Sequence, residues 1–243
     1  MRPSLAVVVS MPGREQVLRR ALESLHPQVD TLALFWNGSW ESCPAFAKAI
    51  IDRGTIAYDD TNTRGSGAKL HWSRTWDGLY LACDDDLAYP PDYVATMRSW
   101  VERWDRQALV TCHGRVLRPH AERFKDAEFT AHALREVPEG RWLNYPGGCA
   151  LAFDTSLNVP PDMPGKNVEE GCLAVWAQTH QVPIWLVPHA ADWLEYLLPL
   201  HGAHYTIWTD ELAHGFRNRN SVLAPQGRGA GWAVHEPVAA ACV

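Results

Sequence analysis

Short apolar runs alternate with helix-patterned segments through the first half of the chain, and few folds accommodate that rhythm. Residues 5–9 (LAVVV) read as a strand, followed by SMPGREQ as a turn. In VLRRALESL, Val17, Leu18, Ala21, Leu22 and Leu25 recur at helical spacing. TLALFWNG (31–38) reads as a second strand closing on an Asn-Gly turn, CPAFAKAIID as a short helix, and residues 55–58 as a third strand. AKLHWSRTW reads as a helix entered through the glycines of RGSG, and GLYLAC as the fourth strand. Strand alternating with helix predicts an α/β fold with a mainly parallel central sheet flanked by helices.

Later segments are less regular. PDYVATMRSWVERW predicts a helix with Pro91 in its first turn, and ALVTCHG a strand. Residues 120–141 carry no clear period and read as irregular. LNYPGGCALAFD is strand-like with paired glycines, NVEEGCLAVWAQTH a helix, and VPIWLVPH a last buried strand. Beyond about Pro199 the chain is rich in Gly, His, Arg and Asn. The expected division is therefore one domain over 1–199 and a C-terminal extension over 200–243 that packs on or near the functional site.

The fourth strand runs straight into Asp84, Asp85 and Asp86. If it stays extended, Asp84 and Asp86 share one side and Asp85 takes the other. Two carboxylates on one side of a strand end can hold a divalent cation, and open α/β sheets place their ligand crevices at such ends. Three adjacent charges also repel unless a cation or donors compensate. The plainer reading is a solvated acidic turn before the helix at Pro91. An EF-hand loop is excluded, because its interleaved Asp/Asn, glycine and terminal Glu pattern is missing.

Composition narrows the classes. A chain of 243 residues, 47% hydrophobic and 21% charged, has the make-up of a folded globular protein. A formal net charge of -6 argues against a surface built mainly to bind a phosphate backbone. The six cysteines form no CxxC pair, so zinc-ribbon spacing is absent and they read as reduced core residues. The first apolar run is too short for a signal-peptide core or a membrane span, which makes a cytoplasmic protein without a transmembrane segment the expectation.

YLACDDDLAYPPDYV resembles the DxD region of GT-A glycosyltransferases, particularly the bacterial and phage enzymes grouped with glycosyltransferase family 2. The likeness extends to VVVSMPGREQVLRRALESLHPQVDTLALFWNG, to GSGAKLHWSRTWDGLYLACDDD, and to YPGGCALAF with NVEEGCLAVWAQTHQVP, covering roughly residues 5–195. It implies a GT-A fold and transfer of a sugar from a nucleoside diphosphate sugar, first of all a UDP-sugar, to a hydroxyl acceptor. Inversion at the anomeric carbon is implied as well. The acceptor class stays open among a glycan, a protein and a small molecule; a nucleic acid is disfavoured by the net charge.

The cofactor implied is Mn²⁺ or Mg²⁺. Asp86 becomes the expected direct metal ligand, with Asp84 on the metal or on the donor ribose or sugar. Asp85 helps through water or sugar hydroxyls. Lys69 is expected to reach a phosphate from a helix start. Ser10, Pro12 and Arg14 after the first strand, and Asn37 after the second, are expected to contact the nucleotide. Asn37 stands where many family members have an acidic residue, and it also suits a left-handed turn before Gly38. Glu170 is the expected general base, with Glu169 as the adjacent alternative. Acidic residues in a first helical turn also favour the helix dipole without catalysis.

Other residues carry weaker signals. The histidines of HGAHY and His214 could add a metal ligand but read better as surface groups. Trp72, Trp76, Trp142 and Trp208 include candidates for a sugar platform, with Trp72 and Trp76 better explained by packing on the sheet. A nucleotidyltransferase is a rival enzyme class, with SMPGREQ a faint phosphate-loop signature. A non-catalytic carbohydrate-binding module of the same fold is the other rival, and the intact carboxylate run argues against it.

Overall fold

The computed structural model describes residues 1–52, 55–198 and 214–237. Its centre is an eight-stranded sheet made of β1 (Ser4–Ser10), β2 (Thr31–Trp36), β3 (Ile56–Tyr58), β4 (Leu79–Asp84), β6 (Leu109–Thr111), β9 (Arg141–Leu143), β11 (Ala150–Asp154) and β12 (Ile184–Leu186). They lie in the order β3-β2-β1-β4-β11-β6-β12-β9. The pairs β3/β2, β2/β1, β1/β4 and β6/β12 are parallel. β11 is inserted antiparallel between β4 and β6, and β9 closes the edge antiparallel to β12.

The alternation inside β1 explains the layering. Ala6 and Val8 face a core completed by Leu18, Leu22 and Leu25 of α1 (Glu15–Leu25), Ala47 of α2 (Ala45–Ile50), and Met97 and Val101 of α3 (Tyr93–Arg103). Leu5 and Val7 face the opposite core, which contains Leu173 and Ala177 of α4 (Glu169–His180). A strand buried on both faces must be apolar throughout, which is what LAVVV supplies. Each leucine wholly removed from water contributes about 2 kcal/mol before entropy is counted. With three of them fully buried, α1 is fastened mainly through Leu18, Leu22 and Leu25.

Two smaller sheets flank this core. β7 (Gly114–Leu117), β8 (Ala127–Ala131) and β10 (Tyr145–Pro146) form one, in the order β10-β7-β8. β5 (Leu87–Ala88) and β13 (Glu195–Tyr196) form the other. α5 (Arg217–Arg228) packs Leu223, with Phe216 ahead of it, against Leu117, Phe124, Tyr145 and Ala174.

The structure corrects several sequence expectations. AKLHWSRTW is not a helix: a six-residue 3-10 turn covers Gly65–Leu70 and ordinary turns follow. Gly65, at the entrance to this segment, sits at φ +55°, and a side chain there would strike Asn167, so the position requires glycine for its own turn. Residues 120–141 contain β8, the ALVTCHG run divides between β6 and β7 in two sheets, and VPIWLVPH is followed by a further strand, β13. α3 begins at Tyr93, two residues after Pro91. α5 was not legible, because only Arg219, Leu223 and Gly227 of its twelve residues are buried.

The cysteines are reduced: Cys43, Cys83, Cys112 and Cys172 are buried and Cys149 half-buried, while Cys242 lies outside the described residues. Among the described residues no helix is long and apolar enough to cross a membrane.

Candidate functional site

Strand order reverses between β1 and β4. β1, β2 and β3 step one way across the sheet and β4 lies on the other side of β1, which makes the carboxyl ends of β1 and β4 a topological switch point, the usual crevice of an open α/β sheet. Ser10 ends β1, Asn37 follows β2, and Asp84 ends β4. β11 runs the other way, so the Gly147-Gly148 pair before it opens on the same edge, with Ala150 opposite Cys83.

β4 stops at Asp84, so the strand alternation expected to carry through the triplet ends there. Asp85 and Asp86 are joined by one cation. Arg14 donates from Nε to Asp85 Oδ2 at 2.8 Å, and from one terminal nitrogen to Asp85 Oδ1 at 2.6 Å and Asp86 Oδ2 at 3.0 Å. Ser10 Oγ donates to Asp85 as well. Asp85 is buried at 5% exposure, so this two-pronged pairing compensates its charge. Asp86 has no such fork. Burial and repulsion from Asp84 and Asp85, opposed by Arg14, push its carboxyl up to about 7.

Asp84 pairs with Lys69. The ammonium also donates to the Gly148 carbonyl at 3.1 Å and lies 3.6 Å from Glu169 Oε1. Lys69 is buried at 3% exposure and lies within the 3-10 turn Gly65–Leu70, not at the start of an α-helix. Ser66 Oγ donates to Glu169 Oε2 at 2.5 Å. Tyr89 fixes the strand end, accepting from the Asp84 amide at 2.8 Å and donating to the Asp84 and Cys149 carbonyls.

Glu170 belongs to a second constellation. Its Oε1 accepts the Gly148 amide at 2.8 Å and its Oε2 pairs with Arg219, which also donates to the Tyr145 hydroxyl at 3.2 Å. Burial alone would raise this carboxyl; Arg219, neighbouring His113 and the Gly148 amide together lower it to about 2. His113 is itself driven down to about 4 by burial, with His132, Arg115 and Arg219 adding to the effect of burial against Glu170, so it is neutral at pH 7. Gly148 thus links the two groups through the N–H and C=O of one residue, and a side chain on it would press on Glu170, Lys69 and Glu169 at 3.3–3.5 Å.

The remaining expected residues are more dispersed. Asn37 is buried, donates to the Gly65 carbonyl at 3.2 Å, and leaves its own Oδ1 without a partner. Pro12 is exposed beside Gly38. Trp72 and Trp76 pack half-buried on the core that holds α4. Trp142 packs edge-on or tilted, with ring centroids 4.7 Å from both Trp104 and Trp185, in an aromatic cluster on the β9 edge of the sheet. His201, His204 and Trp208 lie outside the described residues, and His214 is exposed. Arg219, Tyr89 and His113 were missed by sequence reasoning. Only the arginine-rich stretch around residue 217 hinted at the first.

Four carboxylates (Asp84, Asp85, Asp86, Glu169) face two cations (Arg14, Lys69) at the sheet mouth, an excess of two negative charges once Asp86 is ionised. All-oxygen donors with that excess fit a hard divalent ion. Among the described residues no three His, Cys, Asp or Glu side chains converge as a metal cage. Mg²⁺ and similar ions are commonly held by one or two carboxylates together with substrate phosphates, so the donor set suits that mode.

No family model matches this chain, and no curated protein does. A crystal structure of a mycobacterial protein is similar in fold, with a TM-score of 0.55 and 16% identity over 90% of this chain and 75% of that one.

Proposed function

We propose that the chain is a metal-dependent glycosyltransferase of the GT-A type, transferring a sugar from a nucleoside diphosphate sugar to a hydroxyl acceptor with inversion. The observation that carries this reading is the meeting of Asp84–Asp86, Lys69, Arg14 and Glu170 at the switch-point mouth, with an acidic excess beside two phosphate-compatible cations. The sequence resemblance over residues 5–195 supports it independently.

In this reading Asp86, assisted by Asp84, holds Mn²⁺ or Mg²⁺, which when bound stabilises negative charge on the departing diphosphate. Arg14 and Lys69 are the cations within reach of the same diphosphate once the carboxylates are shared with the metal. Asn37 Oδ1, buried and unpartnered, offers an acceptor to a base N–H, and uracil presents one. The acceptor oxygen attacks the anomeric carbon as the bond from that carbon to the diphosphate oxygen breaks. The electron pair leaves with the diphosphate, and the hydroxyl proton passes to Glu170 or, failing that, Glu169. Release of UDP from UDP-sugars in the presence of Mn²⁺ tests the proposal. Turnover is expected to stop with EDTA and return with added metal; equal rates in EDTA would remove the metal from the scheme.

A further inference from the structure

The side of Glu170 away from the sheet mouth has the opposite electrical character. Two arginines approach it from different elements: Arg219 from α5, paired to Glu170, and Arg115 from β7. Both are more than nine-tenths buried, at 8% exposure for Arg115 and 9% for Arg219. Both guanidiniums lie against the ring of Phe124, at 3.9 and 5.0 Å from its centroid. Arg115 donates to Thr130 Oγ1 at 2.8 Å, and among the described residues no carboxylate stands within ion-pair distance of it. The Nε atoms of both arginines are buried without a hydrogen-bond partner. His113 and His132, with ring centroids 5.4 Å apart, adjoin the same place and supply no negative charge.

One carboxylate therefore serves two buried guanidiniums. A buried cation without a counter-ion is costly, as are unpaired buried donors, and a fold that only needed a packed core would be better served by an apolar side chain. Stability therefore does not account for Arg115. We infer that Arg115 and Arg219 form the binding site for an oxyanion, a carboxylate or phosphate group carried by the acceptor, whose hydroxyl is thereby directed at Glu170. The acceptor identity rests on the glycosyltransferase reading; the oxyanion site itself does not. The inference also bears on Glu170: an anion that shares Arg219 weakens the pairing that depresses this carboxyl and makes it a better base when acceptor is present.

The test uses the full chain without nucleotide or metal, with sodium sulfate as the phosphate-like probe and sodium acetate as the carboxylate probe, followed by calorimetry and thermal melting. Saturable binding of at least one probe is expected, with the preferred probe identifying the anion class. Arg115→Met is expected to weaken it by roughly tenfold or more, the loss of one charge-assisted contact, and to melt at or above the wild type in anion-free buffer. Arg115→Lys, which keeps the charge and loses the fork, is expected to fall between. Binding unchanged in Arg115→Met, or no saturable binding of either probe to the wild type, would overturn the inference. So would an Arg115→Met variant that melts lower while wild-type melting ignores both anions, since that marks Arg115 as a packing residue. No arm uses a sugar donor, so this result and the fate of the glycosyltransferase reading are separable.

Discussion

Asp86→Ala is expected to lower metal-dependent turnover by roughly 10³-fold or more, the scale on which loss of a preorganised charge-stabilising group acts, while the fold stays intact. Asp86 lies beyond the last residue of β4, and its carboxyl contributes no strand pairing; only its backbone carbonyl is used, accepting from the Leu197 amide at 2.8 Å. Its charge opposes folding. The carboxyl is raised from 3.8 to about 7, so its contribution to stability is fully present below about pH 3.8 and is lost as pH rises through 7. The variant without that carboxylate should therefore melt at or above the wild type at pH 8 in EDTA, with the advantage disappearing near pH 4. Mn²⁺ titration of nucleotide-saturated protein by calorimetry checks the ligand role: unchanged affinity in Asp86→Ala would place the metal elsewhere.

Glu170→Gln is expected to slow transfer by roughly two to four orders of magnitude, the usual contribution of a general base, while Mn²⁺ and nucleotide affinities are retained. The amide still accepts from the Gly148 N–H but cannot take a proton, and it leaves Arg219 without its carboxylate. Some loss of melting temperature above pH 4.5 is therefore expected, since a carboxyl lowered from 4.5 to about 2 stabilises the fold above its ordinary value and loses that effect as pH falls toward 2. Glu169→Gln is the control. Its carboxylate accepts from Ser66 and neighbours Lys69, which makes it a holder of the metal-side cluster. A crippled Glu169→Gln beside a nearly normal Glu170→Gln would move the base by one residue.

The first four strands and the helices α1 and α2 were legible because each signal is local: β1 is apolar on both faces, and α1 repeats its leucines every turn. The 3-10 turn at Gly65–Leu70 was not, since Gly65, one of the glycines that suggested a helix entrance, serves a left-handed turn against Asn167. β8 was hidden because AEFTA is short and only half-buried, with no alternation strong enough to mark it. At the site, the residue types in the mouth could be read from the triplet and its context, but their pairings could not. Arg14 reaches Asp85 across 71 residues, and Arg219 reaches Glu170 across 49, through contacts that only the folded sheet creates. That is why the triplet's division into a Lys69 partner and an Arg14 pair, and the second arginine beside Glu170, emerged only in three dimensions.

The central claim is that the switch-point mouth takes a nucleoside diphosphate together with a divalent cation, and thermal melting tests it without knowledge of the sugar or the acceptor. A ligand that binds only the folded state stabilises it by about 2.7 kcal/mol at a hundredfold excess over Kd, enough to move the melting temperature by several degrees in a domain of this size. UDP with Mn²⁺ is expected to raise the melting temperature, UDP with EDTA to do so much less, and Asp86→Ala to lose the metal-dependent part. A shift with GDP, CDP or dTDP in place of UDP would change the base and keep the mechanism. No shift with any nucleoside diphosphate at millimolar concentration with Mn²⁺ present would contradict the glycosyltransferase account.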